Sequence, residues 1–158
     1  MRKLLITTTL LVLLAPAAAF ADITAFVGIN RTPSQRAVKG FSGGIGLLIV
    51  AFEFEFAQTS EDELKAAPGL KTYMFNGLAQ TPFPIGGMQF YATAGGGVYR
   101  ETLEELTETN FGMNIGGGVK ANILGPLRLR LDYRVFTLRG DARHSKPQRF
   151  YAGLNLKF

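Results

Sequence analysis

Charge recurs at every second residue in two stretches of this chain. Glu53 and Glu55 alternate with Phe52, Phe54 and Phe56, and Arg128, Arg130, Asp132 and Arg134 alternate with Leu127, Leu129, Leu131, Tyr133 and Val135. Arg149 and Lys157 fall at comparable positions near the end. Carboxylates and guanidiniums spaced this way support two chemistries: an ion path, or mutual neutralisation in a confined space. Pairing is the expected outcome, because an unpaired charge withdrawn from water is costly. Glu53, Glu55, Arg128, Arg130, Asp132, Arg134, Arg149 and Lys157 therefore form a candidate charge network.

Other chemistries find less support. The chain has no Cys, which removes disulfides, thiolate metal sites, a Cys nucleophile and lipid attachment through an N-terminal Cys. Its single His, His144, cannot build a multi-His zinc centre. His144, Ser145 and Asp141 invite a hydrolase reading, but adjacent strand residues diverge, and Pro147 places the trio in a loop. An exposed loop histidine is expected instead. Gly95-Gly96-Gly97 and Gly116-Gly117-Gly118 lack the sequence context of phosphate loops, and are read as flat ground for Tyr91, Tyr99 or Tyr151. Ser60 to Glu63 and the run holding Glu101, Glu104, Glu105 and Glu108 have no calcium-loop spacing and read as solvated acidic loops. No catalytic residue, metal or cofactor is expected.

The elements that must position the charges follow from a hydrophobic period of two. Eight strands are predicted, at 23–31, 41–48, 51–59, 70–80, 88–99, 111–121, 127–138 and 149–158. The facing of the second and fourth is ambiguous. Residues 32–40, 60–69, 100–110 and 139–148 read as long charged loops, whereas 48–51, 81–87 and 122–126 read as shorter, mostly uncharged turns. Met1-Arg2-Lys3, the apolar run Leu4 to Leu14 and Ala19-Phe20-Ala21 form a signal-peptide pattern. The expected division is a signal peptide at 1–21 and a barrel domain at 22–158. The net charge of +5 falls to +3 without Arg2 and Lys3, too little to argue for nucleic acid.

Alternation alone also fits a soluble barrel with its apolar face inward. Strand length, long loops at one end with short turns at the other, and clustered strand charges favour a transmembrane barrel with the charges inside. The expected fold is all-β: an eight-stranded antiparallel up-and-down transmembrane β-barrel. Phe41, Tyr73, Phe83 and Tyr133 are candidate interface aromatics, and Arg31, Arg36, Lys39, Arg139, Arg143 and Lys146 are basic rim or loop residues.

The chain resembles the small eight-stranded outer-membrane barrels of the OmpX, OmpW and OmpA-transmembrane-domain kind, over residues 23–158. The most specific piece is Gln148 to Phe158, where Phe158, Leu156, Leu154 and Tyr151 look like a C-terminal signal read by the barrel-assembly machinery. The resemblance implies a Gram-negative outer-membrane location, and contact with that machinery, outer-membrane lipids and lipopolysaccharide phosphates. A monomer with a structural or surface-interaction role, no catalysis and a lumen plugged by paired charges is expected. A cell-wall anchoring role is not implied. A narrow channel or carrier for small apolar molecules, as in the OmpW kind, and a lipid-modifying enzyme are the alternatives.

Overall fold

The structure is a computed structural model that describes residues 19–104 and 106–158. Eight strands form it: β1 (Ala19–Asn30), β2 (Arg36–Leu47), β3 (Val50–Thr59), β4 (Gly69–Gln80), β5 (Met88–Leu103), β6 (Leu106–Leu124), β7 (Leu127–Leu138) and β8 (Gln148–Lys157). Each pairs antiparallel with its sequence neighbours, and β1 pairs with β8 from Asp22↔Lys157 to Asn30↔Arg149, closing the barrel. Closure gives each strand a neighbour on both sides, although the tip of β6, before Gly112, projects beyond its β7 partner. A short 3-10 helix, Glu63–Lys65, interrupts the connection between β3 and β4.

The wall has its apolar side outward. Phe52, Leu129 and Leu156 are 45%, 38% and 43% exposed, while Glu53 and Arg130 are 2% and 0% exposed. A soluble barrel would reverse this. The ambiguous strands obey the same rule: Phe41, Ile45, Tyr73 and Phe75 are exposed, and Ser42, Thr72, Met74 and Asn76 are buried. Phe83 and Tyr133 are exposed too, as interface aromatics would be.

At one end the turns are tight. Leu48 takes a φ of 41° to join Leu47 to its partner Val50. Gly86 and Gly87 (φ 60° and 79°) and Gly125 (φ 54°) make the other two, where a left-handed backbone favours glycine. At the opposite end the expected loop at 100–110 is corrected. There β5 and β6 continue as a paired hairpin, from Arg100↔Thr109 to Leu103↔Leu106, with Glu104 at φ 55° in the turn. The apolar alternation stops near Val98 because the hairpin then leaves the apolar belt, yet Thr102, Thr107 and Thr109 still favour strand. For the same reason β2 begins at Arg36 rather than at 41.

The expected signal peptide lies mostly at 1–18, outside the described residues. The last three residues before the expected cut, Ala19 to Ala21, form the start of β1.

Candidate functional site

The candidate site is the interior of the tube. β3 and β7 are four strands apart in an eight-stranded ring, hence on opposite walls. Period two turns Glu53 and Glu55 of β3, and Arg128, Arg130, Asp132 and Arg134 of β7, into the bore. A bore of this width is filled by side chains.

The central cluster contains three guanidiniums and three carboxylates. Arg130 pairs with Glu53 through Nη1, and its Nη2 donates to Glu53 Oε1 at 3.2 Å and to Asp132 Oδ2 at 3.0 Å. Arg134 donates from Nε to Asp132 Oδ1 at 2.9 Å and from Nη2 to Glu53 Oε1 at 3.0 Å, and its Nη1 lies 3.1 Å from Glu55 Oε2. Arg149 Nη1 donates to Glu55 Oε1 at 3.0 Å, and its Nη2 to Thr72 Oγ1 at 3.2 Å. Several partners per charge are what burial demands, since a lone Coulombic pair rarely offsets desolvation.

Two tyrosines fill the gaps. Tyr91 donates to Asp132 Oδ2 at 2.5 Å and accepts from Arg130 Nε at 2.8 Å. The Tyr151 hydroxyl lies 3.0 Å from Asp132 Oδ2, and its ring stacks on Phe26 at 4.0 Å. The Arg130 guanidinium lies 5.0 Å and 5.7 Å from the centres of the Tyr91 and Tyr151 rings, within cation–π range.

A second cluster lies towards the short-turn end. Asp22 Oδ2 is 2.5 Å from Lys120 Nζ and 3.1 Å from Arg128 Nη2. Arg128 also donates to Asn155 Oδ1 at 2.7 Å and to Gln89 Oε1 at 3.1 Å. Towards the long-loop end the bore turns apolar, with Leu70, Met74, Tyr99, Phe136 and Leu138 in contact. Above them Arg36 donates to the carbonyls of Ser60, Thr32 and Pro68.

Seven of the eight expected network residues are thus buried in the bore. Lys157 is the correction: it is exposed, with its ammonium 4.2 Å from the Phe20 ring. Its parity is inward, but β8 ends there and the open mouth leaves the side chain to water. Asp22 and Lys120 complete the clusters without having been singled out. Lys120 shares a face with Asn114 by period two, a usable signal, whereas Asp22 is hidden beside the expected cleavage point.

The four residues of the expected assembly signal do not share a face. Leu154, Leu156 and Phe158 are exposed, while Tyr151 is fully buried by its odd position in β8. His144 is half-buried rather than exposed, its Nδ1 without a partner among the described residues, because the 139–147 connection folds back through Leu138 N to Ser145 O at 2.8 Å. The tyrosine-packing role of the glycine triplets is met at Gly118, where an added Cβ would lie 2.7 Å from Tyr91 Cζ. Tyr99 instead lies over Gly112, whereas Tyr151 meets Gly28 only through its Cα and Cβ as a register partner.

No protein-family model matches the chain, and no curated protein sequence matches it significantly. Solved structures do match. The Neisserial surface protein A superposes with a TM-score of 0.70 at 14% identity, covering 89% of this chain and 97% of that one. The N-terminal β-barrel domain of Pseudomonas aeruginosa OprF gives 0.67 at 14% identity, with 88% and 97% covered. Ail of Yersinia pestis, an attachment invasion locus protein, gives 0.53 at 16% identity, with 89% and 97% covered. The fold is that of the small eight-stranded outer-membrane barrels.

Proposed function

We propose that this protein is a sealed barrel of the Gram-negative outer membrane that works through its wall and long-loop end, without conduction or catalysis. The observation that carries the reading is the ionic core. Arg130, Arg134 and Arg149 with Glu53, Glu55 and Asp132 join β3 to the opposite wall, all fully or almost fully buried. Removing any one of them from its partners is costly, so the plug stays closed. The apolar outer surface supports a lipid surround, because a wall with exposed Phe, Leu and Ile on every strand is stable only against other apolar matter. Export by the leader, cleavage after Ala21, insertion by the barrel-assembly machinery and a monomeric state belong to the same proposal, as does a location in the leaflet that carries lipopolysaccharide.

Planar bilayers test it. Purified protein is expected to give no unitary conductance, and charge reversal at Glu53 is expected to open one. Steady conductance from the wild type, insensitive to changes at Glu53 or Arg130, overturns the sealed reading. Cell fractionation with mass determination checks the rest, the expected chain beginning at Asp22.

A further inference from the structure

We propose that the outer wall of β8, β1 and β2 holds one molecule of a phosphorylated, multiply acylated glycolipid, with an acyl chain in a groove and a phosphate on Lys39. The inference rests on the membrane reading above and goes beyond it, from a general lipid surround to one stoichiometric site.

The groove comes from small side chains. Ala25 faces outward between its register partners Phe41 and Leu154, and Val27 stands between Lys39 and Ala152. The alanines form a low floor between taller side chains, in a cavity of about 600 Å³ lined almost wholly by apolar residues. Lys39 and Gln58 are its polar lining. An acyl chain lying here therefore ends against an ammonium.

The register places that ammonium in a row. Lys39 pairs with Gln58, Gln58 with Lys71, Lys71 with Arg100, and Arg100 with Thr109. All five side chains face outward and are exposed. Directly beneath runs a second row: Phe41, Phe56, Tyr73, Val98 and Phe111, again register partners. Aromatic side chains at this level mark the boundary between hydrocarbon and headgroup. Three cations and no carboxylate sit one step above that boundary on β2 to β5, at the depth where lipid phosphates lie. Neighbouring strands are about 4.8 Å apart, so Lys39 and Lys71 are separated by roughly 10 Å. One headgroup carrying two phosphates can engage both, and Gln58 between them can donate an amide hydrogen.

The test uses the mature chain in phosphatidylcholine nanodiscs, with bis-phosphorylated lipid A as titrant and native mass spectrometry as readout. The wild type is expected to retain one lipid A per barrel. Lys39→Glu and, separately, Lys71→Glu are expected to weaken retention about tenfold, as reversal of a cation at an anionic surface should. Ala25→Trp, which fills the groove, is expected to weaken it similarly, while Lys65→Ala, remote on the 3-10 helix, leaves it unchanged. All these side chains face outward, and heat-modifiable gel migration verifies that each variant is folded. A de-acylated phosphorylated disaccharide is expected not to compete. If it competes fully, or if Ala25→Trp and Lys39→Glu retain lipid A like the wild type, the site is refuted. Flotation with phosphatidylcholine vesicles lacking lipid A separates the two levels. Failure to float overturns the membrane reading and the site with it, whereas flotation without lipid A retention overturns the site alone.

Discussion

The two ionic clusters of the lumen are built from the same residue types and balance their charge differently. In the central one, Arg130, Arg134 and Arg149 face Glu53, Glu55 and Asp132, three against three. In the lower one, Lys120 and Arg128 share the single carboxylate of Asp22. The difference follows from distance to water. The central groups lie between an apolar layer above and the lower cluster below, and are at most 2% exposed. Arg128 also lines an open vestibule of about 640 Å³ at the short-turn mouth, where water and counterions can supply what Asp22 does not. Charge balance inside this barrel therefore tightens with depth.

The largest effect should come from breaking the central balance. Glu53→Gln leaves Arg130 and Arg134 each short of a carboxylate, and should lower stability by about 3–5 kcal/mol, the usual cost of an orphaned buried charge. Urea unfolding from lipid vesicles measures it. Replacing Glu53 by Leu and Arg130 by Met together restores two cations against two carboxylates, and should recover at least half of that loss. If the double variant is no better than the single one, electroneutrality is not what holds the centre.

Asp22→Asn removes the only carboxylate of the lower cluster. The loss should be smaller, about 1–3 kcal/mol, because Arg128 retains Asn155, Gln89 and the vestibule it lines, and Lys120 keeps the Tyr91 ring. A cost equal to that of Glu53→Gln would erase the contrast between the clusters. Added salt should narrow the Asp22→Asn deficit and leave the Glu53→Gln deficit almost unchanged, since screening acts where ions can reach.

The legibility of the two clusters in the sequence differs in the same way. The central charges lie on β3 and β7, where strict alternation with Phe and Leu marks both strand and face. Glu53 and Arg130 could thus be assigned to one interior without knowing the fold. Lys120 follows a glycine-rich stretch whose apolar face is thin, so period two marks it weakly. Asp22 lies beside a leader, where composition says nothing of pairing. Register stays hidden too: nothing local says that Glu53 meets Arg130 and Arg134 while Glu55 meets Arg134 and Arg149, because that depends on closure of β1 against β8. The β5–β6 extension is obscured for a simpler reason. Above the belt the β6 arm is exposed on both faces from Leu106 to Thr109, and such a strand spells itself like a loop.

A smaller, pH-dependent effect is expected above the belt. Burial raises the Glu101 carboxyl above the ordinary carboxylate range, a backbone hydrogen bond from Arg143 opposes this, and Glu108 across the hairpin adds to it. A carboxyl raised in the folded state stabilises most when protonated. Its contribution is full below the unfolded value of about 4.3 and is lost as pH rises through the higher folded value. Hydrogen exchange at the tip of β5 and β6, corrected for its intrinsic pH dependence, should therefore report easier opening at pH 7 than at pH 4. Glu101→Gln should abolish the difference, while the central cluster stays protected in both.

The smallest effect belongs to Lys157, whose parity is inward but whose side chain stays outside the network. Its ammonium contacts the Phe20 ring, and exposed cation–π contacts contribute about 0.5–1 kcal/mol. Phe20 precedes the expected cut after Ala21, so cleavage would remove the partner ring altogether. Lys157→Ala should then change the stability of the cleaved chain by less than about 0.5 kcal/mol, as for ordinary surface positions, and should cost more in a chain that keeps Phe20. Urea midpoints of the cleaved and uncleaved forms, each with and without the substitution, make a double comparison that isolates the contact. Equal and large losses in both forms would mean that Lys157 reaches the Asp22 carboxylate in solution, adding a third cation to the lower cluster and deepening its contrast with the centre.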